Sequence, residues 1–255
     1  MELEQRRPVA LVTGGSRGVG AATVLSLAAG GYDVALVYRN KAARAAEVAA
    51  EADRAGAATL ALACDITRPE QVVALFSRIG VWRGRLDALV LNASGGLERD
   101  LLAADPAYPT RVNRDAQLDL LDGALPLLGP RSTVLFVTSH WAHLYGTVEQ
   151  LPAYEPVASS KHAGERALRD RMPELQRRGI RLLVVTGDLI EGTITPKLLD
   201  RAAPGSIAAW RGGSSPLPTA AEMGAAIAGA VLDPALPDGS VVVVGNRLES
   251  LRRLL

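Results

Sequence analysis

The chain has 255 residues, with 28 basic and 27 acidic side chains and a formal net charge of +1. That balance leaves no electrostatic footprint for nucleic acid or an anionic membrane surface. No apolar run reaches the ~18 residues of a membrane span, the opening MELEQRRPVA lacks the apolar segment of a secretory signal, and Cys64 is alone, so an intrachain disulfide is excluded.

Hydrophobic residues make up 48% and aromatic residues 4%, so the core is built from Ala, Leu and Val. The elements alternate along the chain. VALVT (9–13) is a short apolar run, followed by GGSRGVG and an Ala-rich segment to Gly30. DVALVY (33–38) is a second run, and residues 41–55 form a helix by propensity. ATLALAC (58–64) is the third strand, placing Cys64 at a buried strand end as a quiet thiol. Pro69 opens a helix after Thr67. LDALVLN (86–92) is the fourth strand, residues 107–128 contain the fourth helix, and STVLFVTS (132–139) is the fifth strand. A helix follows over about 156–176, then IRLLVVTG (180–187). A Gly/Pro-rich stretch at 188–218 reads as a lid or specificity loop. AAEMGAAIAGAVL (220–232) is a helix, and SVVVVG (240–245) a last strand.

Continuous apolar strands, each followed by a helix, predict a parallel sheet covered on both faces. Seven strands over 1–255 predict a single doubly wound Rossmann α/β domain with strand order 3-2-1-4-5-6-7. Ligand is expected at the carboxyl ends of the strands, at the switch between strands one and four.

Gly14, Gly15, Ser16, Arg17, Gly18, Val19 and Gly20 follow the first strand. A strand that turns sharply into a helix, with its backbone close to a pyrophosphate, needs glycine there, and the helix amino end offers free N–H groups to the negative oxygens. An acidic residue ending the second strand would select NAD; that strand ends Tyr38, Arg39, Asn40 instead. Asp33 stands at the wrong end of the strand for this role. Arg17 and Arg39 suit a 2′-phosphate, so NADP(H) is the expected cofactor.

The pattern TGGSRGVG resembles that of the short-chain dehydrogenase/reductase family, over nearly the whole chain. The resemblance implies roles for further residues. Asp65, followed by Ile66, matches the aspartate beside the adenine ring. Asn92, Ala93, Ser94 and Gly95 are similar to the family's NNAG element. Asn113 matches the helix-four asparagine, Ser139 the substrate-orienting serine, and Lys161 the lysine that binds the nicotinamide ribose and holds the acid. Gly187 matches the glycine of the family's PG pair, with Thr186 replacing the proline, and Thr193 or Thr195 the threonine for the carboxamide. The family's tyrosine, however, is missing: Val157 stands four residues before Lys161.

Three readings of the acid stay open. Tyr154 lies fifteen residues after Ser139, close to the family interval, and Pro156 lets it sit in the loop before the helix; seven residues of helix rise about 10 Å, so reach is its difficulty. Tyr145 or His143 could serve from the loop HWAHLYGT. The third reading has no side-chain acid at all: either water protonates the product, or the chain is a nucleotide-binding protein with lost or altered redox chemistry, acting as a regulatory or structural partner. The leading expectation is an NADP(H)-dependent oxidoreductase on a carbonyl/alcohol pair. Trp141, His143, Leu144, Tyr145 and Leu151, with Ile190, Ile194, Leu198, Leu199, Ile207 and Trp210 of the lid, predict an apolar pocket for a cyclic or polyketide-like ketone. The resemblance further implies a homodimer or homotetramer, and the composition a cytoplasmic chain.

Overall fold

The computed structural model describes residues 7–202, 204–205 and 216–245. Seven parallel strands form one sheet in the order β3-β2-β1-β4-β5-β6-β7: β1 Val9–Thr13, β2 Asp33–Tyr38, β3 Thr59–Ala63, β4 Leu86–Leu91, β5 Leu128–Ser139, β6 Arg181–Gly187 and β7 Val241–Val244. The fold is therefore the doubly wound α/β sheet expected, with the reversal of strand order between β1 and β4.

Successive strand residues enter opposite cores, which is why the strands read as unbroken apolar runs. Val9 and Leu11 join one cluster with Val72, Phe76 and Ile79 of α3 (Pro69–Trp82) and Leu120 and Leu121 of α6 (Ala116–Ala124). Ala10 and Val12 join the other, with Val24 and Leu27 of α1 (Gly18–Ala29), Ala45 of α2 (Ala42–Arg54) and Ile227 of α11 (Ala220–Leu232). Asp33 is tied at the amino end of β2 by Arg7 (3.3 Å) and Arg83 (2.9 Å), remote from the ligand end of the sheet.

Several boundaries differ from the sequence reading. β5 starts at Leu128, which pairs with Leu86 before a register shift, and Arg131 there takes φ 71°. The region 107–128 holds α5 (Tyr108–Thr110), a π-turn at Arg111–Asp115 and α6, after a short α4 (Arg99–Ala104). The long helix ends early: α8 spans Glu155–Asp170 and α9 Met172–Arg177. Pro173 has no N–H for the Arg169 carbonyl and disfavours helical backbone at the residue before it. The expected aperiodic lid contains α10, Ile194–Ala202. There Leu199 is buried whereas Ile194 faces solvent; Ile207 and Trp210 lie outside the described residues. No helix among the described residues is long and apolar enough to cross a membrane.

Candidate active site

The loop between β1 and α1 is locked to the end of β4. Thr13 Oγ1 accepts from the Asn92 and Ala93 amides (2.9 and 3.0 Å), and Asn92 Nδ2 donates to the Thr13 carbonyl (2.8 Å). Gly14 takes φ +68°, and a Cβ on Gly20 would fall 2.1 Å from the Gly14 carbonyl oxygen. Only glycine permits this tight return. Arg17, in extended backbone, precedes α1 without any side-chain cap, so the first N–H groups of α1 keep free hydrogen-bonding capacity toward an anion. A glycine cradle under an uncapped helix end fits a dinucleotide pyrophosphate. Ser16 is buried in this loop, Val19 half-buried and Arg17 exposed. Thr193 lies alongside, its methyl 3.6 Å from where a Cβ of Gly18 would be, and its hydroxyl donates to the Ile190 carbonyl (2.8 Å).

At the ends of β2 and β3 stand Arg39, Asn40, Asp65 and the buried Ile66. Asp65 Oδ1 accepts from the Thr67 amide and hydroxyl (3.1 and 2.7 Å). Arg39 donates to Asn40 Oδ1 (3.2 Å) and to the Tyr108 hydroxyl (2.7 Å). Tyr108, on α5, is a site residue that no sequence pattern signals.

Asn113 sits on the π-turn, a local widening of the helix that often marks functional positions. Its Oδ1 accepts from Ser94 Oγ (2.9 Å) and the Gly95 amide (3.3 Å); its Nδ2 donates to the Gly95 carbonyl (2.9 Å) and Ser160 Oγ (3.0 Å). The side chain thus clasps the loop after β4 to α8, one residue before Lys161. A Cβ on Gly164 would fall 2.0 Å from the Asn113 carbonyl oxygen, so glycine lets α8 come this close.

Ser139 ends β5 and caps α7 (His140–His143), its Oγ accepting from the Ala142 amide (3.2 Å). The Tyr154 hydroxyl donates to the same Oγ at 3.1 Å. Tyr154, immediately before α8, is buried with Trp141 edge-on at 5.8 Å between ring centroids. Burial raises its phenol pKa, and the bond to Ser139 offsets part of that rise, so the proton stays on oxygen at neutral pH. Lys161 is buried too, its Nζ 5.9 Å above the Phe136 ring, and burial drags its pKa down to about 8.

The other two candidate acids point elsewhere. His143 Nδ1 lies 3.0 Å from both carboxylate oxygens of Glu165 on α8. The Tyr145 hydroxyl donates to Glu155 at the surface (3.3 Å). Of the three, the structure brings Tyr154 alone to Ser139. Val157 fills an apolar cluster with Trp141, Tyr154, Leu189, Leu199 and Leu217. His140, unflagged by the sequence reading, is fully buried beside Ser139, with Nδ1 3.0 Å from the hydroxyl of Thr186, the residue at the proline position. Burial, then the neighbouring His143, lowers its pKa to about 4, so it is neutral. Gly187 ends β6, where a Cβ would meet Met223 Sδ at 2.9 Å.

The short chain dehydrogenase family model matches residues 8–202. A 1-cyclohexenylcarbonyl-CoA reductase from Streptomyces collinus is 30% identical over 192 residues, 73% of this chain. The matched stretches cover 66% or less of the lengths of the first curated relatives. Among solved structures, a short chain dehydrogenase from Burkholderia cenocepacia J2315 in complex with NADP superposes with a TM-score of 0.80, 28% identity, and coverage of 93% of this chain and 96% of that one. A 3-oxoacyl-[acyl-carrier protein] reductase from Brucella melitensis in complex with NAD shares the fold, with a TM-score of 0.78, 24% identity, and 94% and 96% coverage.

Proposed function

The chain belongs to the short-chain dehydrogenase family, and on that premise we propose that it is an NADP(H)-dependent oxidoreductase acting on a carbonyl/alcohol pair, with Tyr154 as its proton donor. One observation carries this reading: the Tyr154 hydroxyl lies 3.1 Å from Ser139 Oγ. A proton donor and a substrate-orienting hydroxyl must sit within hydrogen-bond reach of one oxygen atom, and hence close to each other.

When bound, the nicotinamide cofactor supplies or accepts the hydride, a chemistry no side chain has. The chain's own residues hold and place. The Gly14–Gly20 turn and the amino end of α1 would receive the pyrophosphate. Arg39, with no acidic residue ending β2, would meet the 2′-phosphate. Ser139 orients the carbonyl oxygen, and Tyr154 donates its proton to that oxygen as negative charge develops there. Lys161, charged below about pH 8, would hold the nicotinamide ribose, the role the family gives that lysine. Trp141, Leu189, Leu199 and Leu217 surround Tyr154 with apolar surface, which supports a cyclic or polyketide-like ketone. The name of the Streptomyces relative specifies a cyclohexenyl thioester, which is a cyclic substrate though not a ketone. Val241 and Val243 project from the edge strand β7, in keeping with a homo-oligomer.

The test is steady-state reduction of a panel of cyclic ketones by wild type and Tyr154→Phe. Loss of one positioned proton donor lowers kcat by about 10²- to 10⁴-fold with NADPH affinity unchanged. Turnover that survives in the variant would eliminate Tyr154. A wild type that binds NADPH tightly yet reduces nothing on the panel would favour a nucleotide-binding protein without redox chemistry.

A further inference from the structure

Arg39 is held in an unusual way. Its guanidinium makes two hydrogen bonds, Nη1 to the Tyr108 hydroxyl at 2.7 Å and Nε to Asn40 Oδ1 at 3.2 Å, and both acceptors are neutral. The carboxylates that influence it are engaged elsewhere. Asp65 Oδ1 takes the Thr67 amide and hydroxyl. Glu98 Oε2 takes the amides of Gly96 (2.8 Å) and Leu97 (3.2 Å). A guanidinium has five N–H donors in a rigid fork. Among the described residues two are engaged, which leaves three, including both on Nη2. The cation is oriented without a direct ion pair among the described residues, which leaves it open to an incoming phosphate.

Tyr108 is well placed to hold it. The residue is buried, and its amide donates to the Asp105 carbonyl at 3.0 Å. Its ring packs against Gly95, where a Cβ would fall 3.0 Å from the hydroxyl and 3.2 Å from Cε1. Glycine at 95 is what admits the ring. The phenol therefore reaches Arg39 from a fixed platform, across 69 residues of sequence.

We propose that Tyr108 is a positioning residue that sets the dinucleotide preference, by holding the Arg39 fork with its free N–H edge ready for the 2′-phosphate of NADPH. This rests on the NADP(H) reading above. A fork already fixed loses less freedom on binding, so its bidentate bonds to phosphate yield more net affinity. The phosphate-free NADH gains nothing from that order.

The experiment needs no substrate: dissociation constants for NADPH and NADH by fluorescence titration, for wild type, Tyr108→Phe, Arg39→Ala and the double variant. Tyr108→Phe keeps the ring against Gly95 and removes only the hydroxyl; thermal melting verifies the fold. NADPH should weaken by about tenfold, the scale of one hydrogen bond to a charged group, with NADH changed by less than about twofold. In the Arg39→Ala background the second substitution should change neither, because coupled residues act as a unit. The proposal is overturned if Tyr108→Phe leaves NADPH unchanged, tightens it by freeing Arg39, weakens both cofactors alike, or still weakens NADPH when Arg39 is gone. A wild type that binds NADH as tightly as NADPH sinks the cofactor reading and this proposal together. A wild type that prefers NADPH, with no effect of Tyr108→Phe, sinks this proposal alone.

Discussion

Lys161 should cost the cofactor-free protein stability, and replacing it with methionine should show how much. The side chain is buried above Phe136 with no carboxylate in an ion pair among the described residues, and its pKa falls from 10.5 to about 8. At pH 7 the native state keeps the ammonium charged and bears the full desolvation cost. Each tenfold weakening of proton binding corresponds to ~1.4 kcal/mol, so that cost is about 3 kcal/mol. The folded pKa lies below the unfolded one, so the unfolded chain binds more protons between about pH 8 and 10.5, and wild-type stability rises with pH across that window. Methionine is similar in length and packs on Phe136 without a charge. Lys161→Met should therefore be more stable than wild type by about 3 kcal/mol at pH 7, or roughly 6–12 °C in Tm for a chain of this size. By pH 10 the gap should shrink below about 1 kcal/mol, because native Lys161 is then neutral. Chemical denaturation of both proteins at pH 7 and pH 10, without cofactor, measures it. A variant no more stable than wild type at pH 7, or a gap that does not narrow by pH 10, would refute the reasoning.

Two further outcomes follow from the geometry. Gly20→Ala puts a methyl 2.1 Å from the Gly14 carbonyl oxygen, so the loop must open; NADPH binding should weaken by at least about tenfold, with a loss of about 1–3 kcal/mol in stability, and a titration matching wild type would contradict this. Cys64 is buried and free, and burial, aided by Asp65, pushes its pKa up to about 11. In the folded protein at pH 8 it should react with a thiol reagent about 100-fold more slowly than in denaturant, and equal rates would contradict the buried placement.

The sheet was legible because its strands are covered on both faces. β1, β2 and β4 fall within a residue of the apolar runs VALVT, DVALVY and LDALVLN. The start of β5 was not legible: Gly129 and Pro130 look like a turn, and the pairing of Leu128 with Leu86 depends on a register shift that no periodicity records. The long helix breaks at Pro173, a local signal inside the stretch that reads as one helix. In the site, the interval from Ser139 placed Tyr154 correctly near it, because strand end and helix start fix both ends of a short loop. Tyr108 left no trace in the sequence, since its meaning comes from Arg39, far away along the chain. His140 looked like one more loop residue, and only its burial against Thr186 sets it apart.

Val157, where the family carries its tyrosine, lies near Gly96 and within its own apolar cluster. Gly96 adopts φ +110°, and a Cβ there would lie 3.2 Å from Val157 Cγ2 and 3.0 Å from Pro109 Cβ. The loop after β4 thus comes close enough to residue 157 that a side chain on Gly96 would crowd it. Tyr154 instead enters from the loop ahead of α8. Pro156 sits in the first turn of α8, where its missing N–H costs nothing. The amides of Tyr154 and Glu155 both donate to the Leu151 carbonyl, at 2.8 and 3.0 Å. That short turn fixes the ring against Trp141 and delivers its hydroxyl to Ser139. Tyr154 thus sets a hydroxyl beside Ser139 from three residues ahead of the family's tyrosine position, and it is this geometry at Ser139 that the proposed chemistry requires.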